Sequence, residues 1–262
     1  MPLVWLDDIR LNAQVSGPAD GPALVLAHAL GTDLTLWDAV VPLLPPGLRV
    51  LRFDARGHGG SDVPPAPYAM GALIRDAERL IDHFALHEGV VAGVSMGGMV
   101  AQGLAIKRPD RIRALVLSNT AVKIATPRVW QDRIAQVRAG GVAAIAPATV
   151  DRWFPRPFRD GDTARHWQAR LAATPVQGWC GCAAAIAGTD FYTPAAALTL
   201  PVLAVAGGHD GSTPADLVAE TAALIPGARF HLIRAAGHLP MIDRPADWAA
   251  AVTDFLKEIG HV

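Results

Sequence analysis

Six residues, Gly93-Val94-Ser95-Met96-Gly97-Gly98, constrain this chain more than any other feature. Upstream lies an apolar, β-branched run, Val90–Val94. Downstream, Met96 to Lys107 reads as a helix, with Pro109 just past its end. The chain must therefore pass from strand to helix within about one residue. A turn that sharp holds Ser95 in a strained backbone conformation. It also crowds positions 93 and 97, where a side chain would strike neighbouring backbone. The serine hydroxyl should then project above the end of a sheet, beside a helix N-terminus whose unpaired N–H groups favour negative charge. A chance G-x-S-x-G is the competing reading in a chain with 25 glycines. The strand–turn–helix setting argues against it.

The rest of the sequence supplies the sheet. Short β-type runs fall at Val4–Leu6, Ile9–Val15, Ala23–His28, Arg49–Asp54, Val90–Val94, Ala114–Leu117, Val202–Ala206 and Arg229–Ile233. A turn at Asp7-Asp8 joins the first two. Helical spacing occupies 68–86, 96–107, 214–224 and 245–259, with Leu73, Ala77, Leu80, Ile81 and Phe84 on one face of the first. This alternation predicts an α/β fold with a mostly parallel sheet flanked by helices. Between Thr120 and Thr199 the rhythm changes. That stretch is rich in Trp, Pro and Arg and has no clear strand, so it is expected to form a helical cap inserted over the sheet edge. With no internal repeat or linker, residues 1–262 read as one domain, and a 51% hydrophobic composition allows a large core.

Several classes of function are disfavoured. The formal net charge is −1 and no basic patch stands out, so nucleic acid is not an expected partner. No apolar stretch reaches membrane-spanning length. The segment Met1-Pro2-Leu3-Val4-Trp5 lacks the basic start and apolar run of a secretion leader. Cys180 and Cys182 are too close for a comfortable bridge and too few for a zinc site, so both are read as reduced thiols of a cytoplasmic protein.

A serine hydroxyl needs a base to become a nucleophile. Of nine histidines, His238 in Ala235-Ala236-Gly237-His238-Leu239-Pro240 follows the last strand, on the same side of the sheet as Ser95. His83 and His87 lie four apart with no acidic third ligand and read as surface residues. His166, His231 and His261 sit in no motif. His28 and His58 do sit in motifs but precede the serine, against the order serine, acid, histidine; His28 is expected to tether its loop through the ring nitrogens. The orienting carboxylate is expected to be Asp210, in Gly207-Gly208-His209-Asp210-Gly211-Ser212-Thr213-Pro214. Asp216 is a fallback better suited to the first turn of the next helix. The loop Ser118-Asn119-Thr120 offers no carboxylate. A developing oxyanion needs two fixed N–H donors, for which Met96 and Leu30 are the candidates. This chemistry calls for no cofactor and no metal. It extends, from the residues alone, to cleavage of an ester or lactone.

Three segments together carry a resemblance. They are His28-Ala29-Leu30-Gly31-Thr32-Asp33 with Trp37-Asp38, the run from Asp54-Ala55-Arg56-Gly57-His58-Gly59-Gly60-Ser61-Asp62 to Val63-Pro64, and Ser95-Met96-Gly97-Gly98 to Ala105. It continues through Ala121–Pro127 and Trp130, into Trp153-Phe154, and resumes at Gly237-His238-Leu239-Pro240. The chain resembles the 3-oxoadipate enol-lactonases of the α/β-hydrolase superfamily over nearly its whole length. The R-G-H-G-x-S-D and S-M-G-G elements are widespread among α/β-hydrolases; Leu-Gly-Thr-Asp and the cap segment are more particular. Ala29 and Asn119 are departures, and neither is expected to touch a proposed catalytic side chain. The resemblance implies the α/β-hydrolase fold and opening of a small enol-lactone to 3-oxoadipate, in the breakdown of aromatic acids.

Such a substrate carries a free carboxylate, which a mostly apolar cap would hold best with a guanidinium. The cap supplies Arg128, Arg133, Arg138, Arg152 and Arg156; Arg133 is favoured, with Trp130 and Trp153 as pocket walls. Rival readings are a broad-scope carboxylesterase with the same triad, and a ligand-binding homologue that hydrolyses slowly. No feature specifies an oligomeric state.

Overall fold

The computed structural model describes residues 3–262. Met1 and Pro2, the start of the segment read as carrying no leader, lie outside the described residues. Among the described residues eight strands form one sheet: β1 (Leu3–Trp5), β2 (Arg10–Ser16), β3 (Ala23–Ala27), β4 (Arg49–Phe53), β5 (Gly89–Val94), β6 (Ile112–Ser118), β7 (Val202–Gly207) and β8 (Arg229–Ile233). Their order is β1-β2-β4-β3-β5-β6-β7-β8. From β4 to β8 every neighbouring pair is parallel; β2 joins β4, and β1 joins β2, in antiparallel fashion. Each residue of β3, β5 and β7 is buried, as expected of strands covered on both faces. β8 lies at the sheet's edge and buries only Ile233.

Outside the cap, five helices accompany the sheet: α1 (Met70–His83), α2 (Met96–Lys107) and, after β7, α9 (Ala215–Leu224), α10 (Pro240–Asp243) and α11 (Pro245–Glu258). α2 is apolar around its whole circumference and is buried from Met96 to Ala105, in contact with β5, β6 and α1. α1 begins two residues later than its spacing predicts: Ala69 is extended, with φ −101° and ψ 148°, and Tyr68 N–H donates to Gly181 O across the molecule. Between β3 and β4 there are only two short 3-10 helices, Leu34–Trp37 and Val41–Leu43. The prolines at 42, 45 and 46 leave no room for an uninterrupted α-helix.

The stretch between β6 and β7 is helical, as expected. It contains α3 (Pro127–Gly140), α4 (Ala146–Trp153), α5 (Arg156–Arg159), α6 (Asp162–Ala172), α7 (Val176–Ala187) and α8 (Tyr192–Ala195). Cys180 and Cys182 are both free and buried in α7.

Strand register brings the chemistry to one rim. Ala27 lies beside Gly93, Val94 beside Ser118, Ser118 beside Val205, and Gly207 beside Ile233. The carboxyl ends of five parallel strands are therefore nearly level. Their loops carry residues 28–32, Ser95, Asn119, Asp210 and His238. Open α/β sheets bind ligands outside this end.

Candidate active site

Ser95 stands between β5 and α2 with φ 55° and ψ −116°, a conformation that residues with side chains rarely adopt. The glycines explain how it is tolerated. A Cβ at Gly93 would lie 2.1 Å from Gly97 O, and one at Gly97 would lie 2.1 Å from Ala27 O. Backbone packs directly on backbone at both points, and Ser95 N–H is tied to Ser118 O at 3.0 Å. The strain expected from sequence is present, and the neighbouring strands hold it.

Asp210 follows β7 and His238 follows β8. His238 Nδ1 donates to Asp210 Oδ2 at 2.8 Å, which leaves Nε2 as the basic nitrogen. The same oxygen accepts from Asn119 Nδ2 at 2.9 Å and Thr213 Oγ1 at 2.8 Å. Asp210 Oδ1 accepts the N–H groups of Ser212 and Thr213 at 2.7 and 3.0 Å. Burial alone would push the Asp210 carboxyl up. The His238 charge and hydrogen bond, the Asn119 amide and the Ser212 N–H outweigh it, so its pKa lies below the ordinary value. The carboxylate is thus a fixed anion facing the imidazole.

The His238 backbone is held from three sides. Its own N–H donates to Trp153 O at 2.7 Å; Gly237 N–H donates to Asp243 Oδ2 at 2.7 Å; Gly237 O accepts from Asn119 Nδ2 at 3.2 Å. Ser95 and His238 border the same cavity, with Leu30 and Thr213. Ser95 Oγ and His238 Nε2 make no direct hydrogen bond in this structure. A bond of this kind commonly tightens only when substrate is bound.

The loop after β3 is pinned by two histidines. His28 Nε2 accepts the Ala55 N–H at 2.9 Å and its Nδ1 donates to Ala29 O at 2.7 Å. His58 Nε2 accepts the Gly31 N–H at 3.0 Å. Burial, reinforced by His28, depresses the His58 pKa to about 3, so the ring stays neutral and keeps its acceptor lone pair. Among the described residues, no protein group accepts the Leu30 N–H or that of Met96, the first residue of α2. Two free donors beside a serine at a helix N-terminus can hold a developing oxyanion.

A sequence profile described as the alpha/beta hydrolase fold matches residues 22–141. The chain is 31% identical over 258 residues to 3-oxoadipate enol-lactonase 2 of Acinetobacter baylyi, covering 95% of this chain and 94% of that protein. The chain belongs to the α/β-hydrolase family. The crystal structure of the enol-lactonase from Burkholderia xenovorans LB400 superposes with a TM-score of 0.94 at 32% identity, covering 98% of this hydrolase and all of that chain. A malate-bound thermophilic esterase from Thermogutta terrifontis gives 0.90 at 29% identity, covering 97% of this chain and 95% of its own.

The hydrolase has a cavity of about 290 Å³ over Ser95. Trp130, Arg133 and Trp153 all line it, and Trp179 from α7 completes the aromatic wall. Arg133 lies over the Trp130 ring at 4.9 Å. Of the other cap arginines, Arg152 also lines the cavity, whereas Arg128 pairs with Asp132 on the surface. Asp216, the fallback carboxylate, lies in the first turn of α9 and bonds its own helix start.

One expectation is corrected. Asn119 does touch a candidate catalytic side chain: it donates to Asp210 and to the Gly237 carbonyl together. The β6–β7 register places it against the carboxylate, and no local motif announces that. Thr213, three residues beyond Asp210, was also missed as its hydrogen-bond donor. A hydroxyl at that spacing from a loop aspartate was the available signal. Within the Leu-Gly-Thr-Asp segment, Leu30 borders the cavity while Thr32 and Asp33 hold the loop in place. Thr32 Oγ1 donates to Ala29 O at 2.9 Å, while Asp33 caps a 3-10 helix and pairs with Arg170 of the cap.

Proposed function

We propose that this chain hydrolyses a lactone or ester through an acyl-enzyme on Ser95, and that its substrate is 3-oxoadipate enol-lactone. The observation that carries the chemistry is the buried Asp210–His238 pair opening onto the cavity that Ser95 borders. In this reading Ser95 attacks the carbonyl while His238 Nε2 takes its proton, and Asp210 steadies the imidazolium. The N–H groups of Leu30 and Met96 hold the tetrahedral oxyanion. Collapse expels the ring oxygen as an enolate, a better leaving group than an alkoxide. In a lactone that oxygen stays attached to the acyl group; ketonisation removes it as a nucleophile and prevents reclosure. Water activated by His238 then releases the diacid.

The substrate class is supported by likeness to two proteins described as enol-lactonases, at 31% and 32% identity over nearly the full chain. It is also supported by an unpaired Arg133 that lines the cavity together with Trp130 and Trp153 and is suited to the substrate carboxylate. A broad-scope carboxylesterase is the second reading, favoured by likeness to the Thermogutta terrifontis esterase. The test is loss of enol-lactone absorbance on adding the purified protein, set against turnover of short p-nitrophenyl esters. Lactone turnover should dominate and should vanish in Ser95→Ala, with the fold intact by circular dichroism. Ester turnover far above lactone turnover would favour the second reading, and near-native rates in Ser95→Ala would reject the covalent route.

A further inference from the structure

The cavity over Ser95 holds two positive charges and, among its lining residues, no negative one. Arg133 enters from α3 and Arg152 from α4, each half-buried. Neither makes an ion pair among the described residues. Arg133 stacks on Trp130 and makes no hydrogen bond among the described residues. Arg152 donates once, from Nη2 to Thr149 Oγ1 at 3.0 Å, and its Nε is buried with no acceptor. The neighbouring Asp151 faces outward, towards Arg159 at 3.8 Å.

This arrangement is unfavourable on its own. Both side chains line the same cavity; burial pulls both guanidinium pKa values down, repulsion by Arg152 lowers that of Arg133 further, and Asp151 offsets only part of the effect on Arg152. A buried donor without an acceptor adds to the cost. One ligand group relieves all of this: a carboxylate, whose two oxygens can accept from two guanidiniums at once. Single-carboxylate sharing also suits a space of about 290 Å³ that must hold the reacting acyl group as well.

We propose that Arg152 and Arg133 form one clamp that shares a single substrate carboxylate, so that the site selects acyl groups bearing a free acid. The proposal rests on the hydrolase reading above and assigns Arg152 a part in specificity. It makes the distance between the clamp and Ser95 the ruler for substrate length.

The test compares the monomethyl half-ester and the dimethyl diester of a six-carbon straight-chain dicarboxylic acid. The quantity followed is the ratio of kcat/KM, half-ester over diester, in the unmodified protein, Arg152→Met, Arg133→Met and the double variant. Methionine keeps the apolar bulk and removes the charge. The ratio should fall about 10- to 100-fold in each single variant, the range for a lost charge-assisted contact. In the double variant it should fall by less than the product of the two single losses, because both side chains grip one group. Arg152→Lys should recover part of the preference. An unchanged ratio in Arg152→Met, or an equal loss on both esters, overturns the proposal; fully multiplicative losses overturn the sharing. A second readout needs no turnover: calorimetric binding of hexanoate to the unmodified protein and to Arg152→Met. Affinity should drop about 10-fold; equal affinity overturns the clamp. Failure of the hydrolase reading would appear separately, as no cleavage of either ester by the unmodified protein.

Discussion

His58 should make this protein sensitive to acid in a way that one substitution removes. Its ring is fully buried beside His28, accepts the Gly31 N–H at 3.0 Å and has a native pKa of about 3. In the unfolded chain the same group titrates near 6.5. Above pH 6.5 neither state binds the proton, and the group's contribution is complete. Below it, only the unfolded chain gains a proton, so stability falls with pH until the native ring titrates near 3. Between pH 7.5 and 4.5 the loss from this residue is about 2.7 kcal/mol, from two units below the unfolded pKa at about 1.36 kcal/mol each. His58→Gln is the informative change. Its Oε1 occupies the place of Nε2 as an acceptor for Gly31 N–H and cannot titrate. Urea unfolding at both pH values gives the difference for each protein. The native protein should lose about 2.7 kcal/mol more than the variant, whatever other groups contribute, since those cancel in the comparison. Equal losses would show that the ring is protonated in the native state, and would refute a neutral tether beneath the Leu30 loop.

Two other residues give predictions of different kinds. Burial pushes the Asp243 carboxyl up to about 6, its Oδ1 has no partner, and its Oδ2 holds Gly237 N–H. A raised carboxyl favours the native state below its unfolded pKa, and that benefit is lost as pH rises from about 4 to 6. Asp243→Asn keeps an acceptor for Gly237 and should therefore be up to about 3 kcal/mol more stable than the native protein at pH 8, with no advantage at pH 3.5; urea midpoints decide it. Asn119→Ala removes a donor from Asp210 and from the Gly237 carbonyl, so kcat should fall about 10-fold or more with KM nearly unchanged, and an unaltered kcat would deny Asn119 a positioning role.

The parts of this molecule that sequence discloses are those fixed by local physics. β3, β5 and β7 are buried on both faces, so they read as unbroken apolar runs. Gly93 and Gly97 are required by backbone contacts within one turn, so the turn is visible as a motif. What escapes is decided by register and by facing. Asn119 meets Asp210 only because β6 and β7 pair with Ser118 beside Val205. Among five cap arginines, Arg133 shares a helical face with Trp130 and Val137, the two buried residues of α3, and that periodicity was readable. Arg152 had no such mark. Its entry into the cavity depends on how α4 lies over the loop after β7. The 3-10 helices after β3 were missed because their prolines and short length leave no periodic pattern.

That same end of α4 ties the cap to the loops that carry the candidate base and its carboxylate. Trp153 O accepts the His238 N–H at 2.7 Å, and Arg152 O accepts the Gly211 N–H at 2.9 Å. Consecutive carbonyls of one helix end thus hold the base's own residue and the neighbour of its carboxylate. Both are carbonyls of the last helical turn, which have no acceptor role left inside the helix and are available for such contacts. A Cβ at Gly237 would stand 2.1 Å from Trp153 O and one at Gly211 would stand 3.1 Å from the Arg152 Cα, so the approach is close on both sides. The side chains of the same two residues line the cavity. The cavity wall and the His238 backbone are therefore tied to one short element, and a cap displacement large enough to open the cavity at α4 would break the hydrogen bonds to His238 and Gly211. On the α3 side, by contrast, Arg133 and Trp130 are carried by a helix with no backbone bond to either loop.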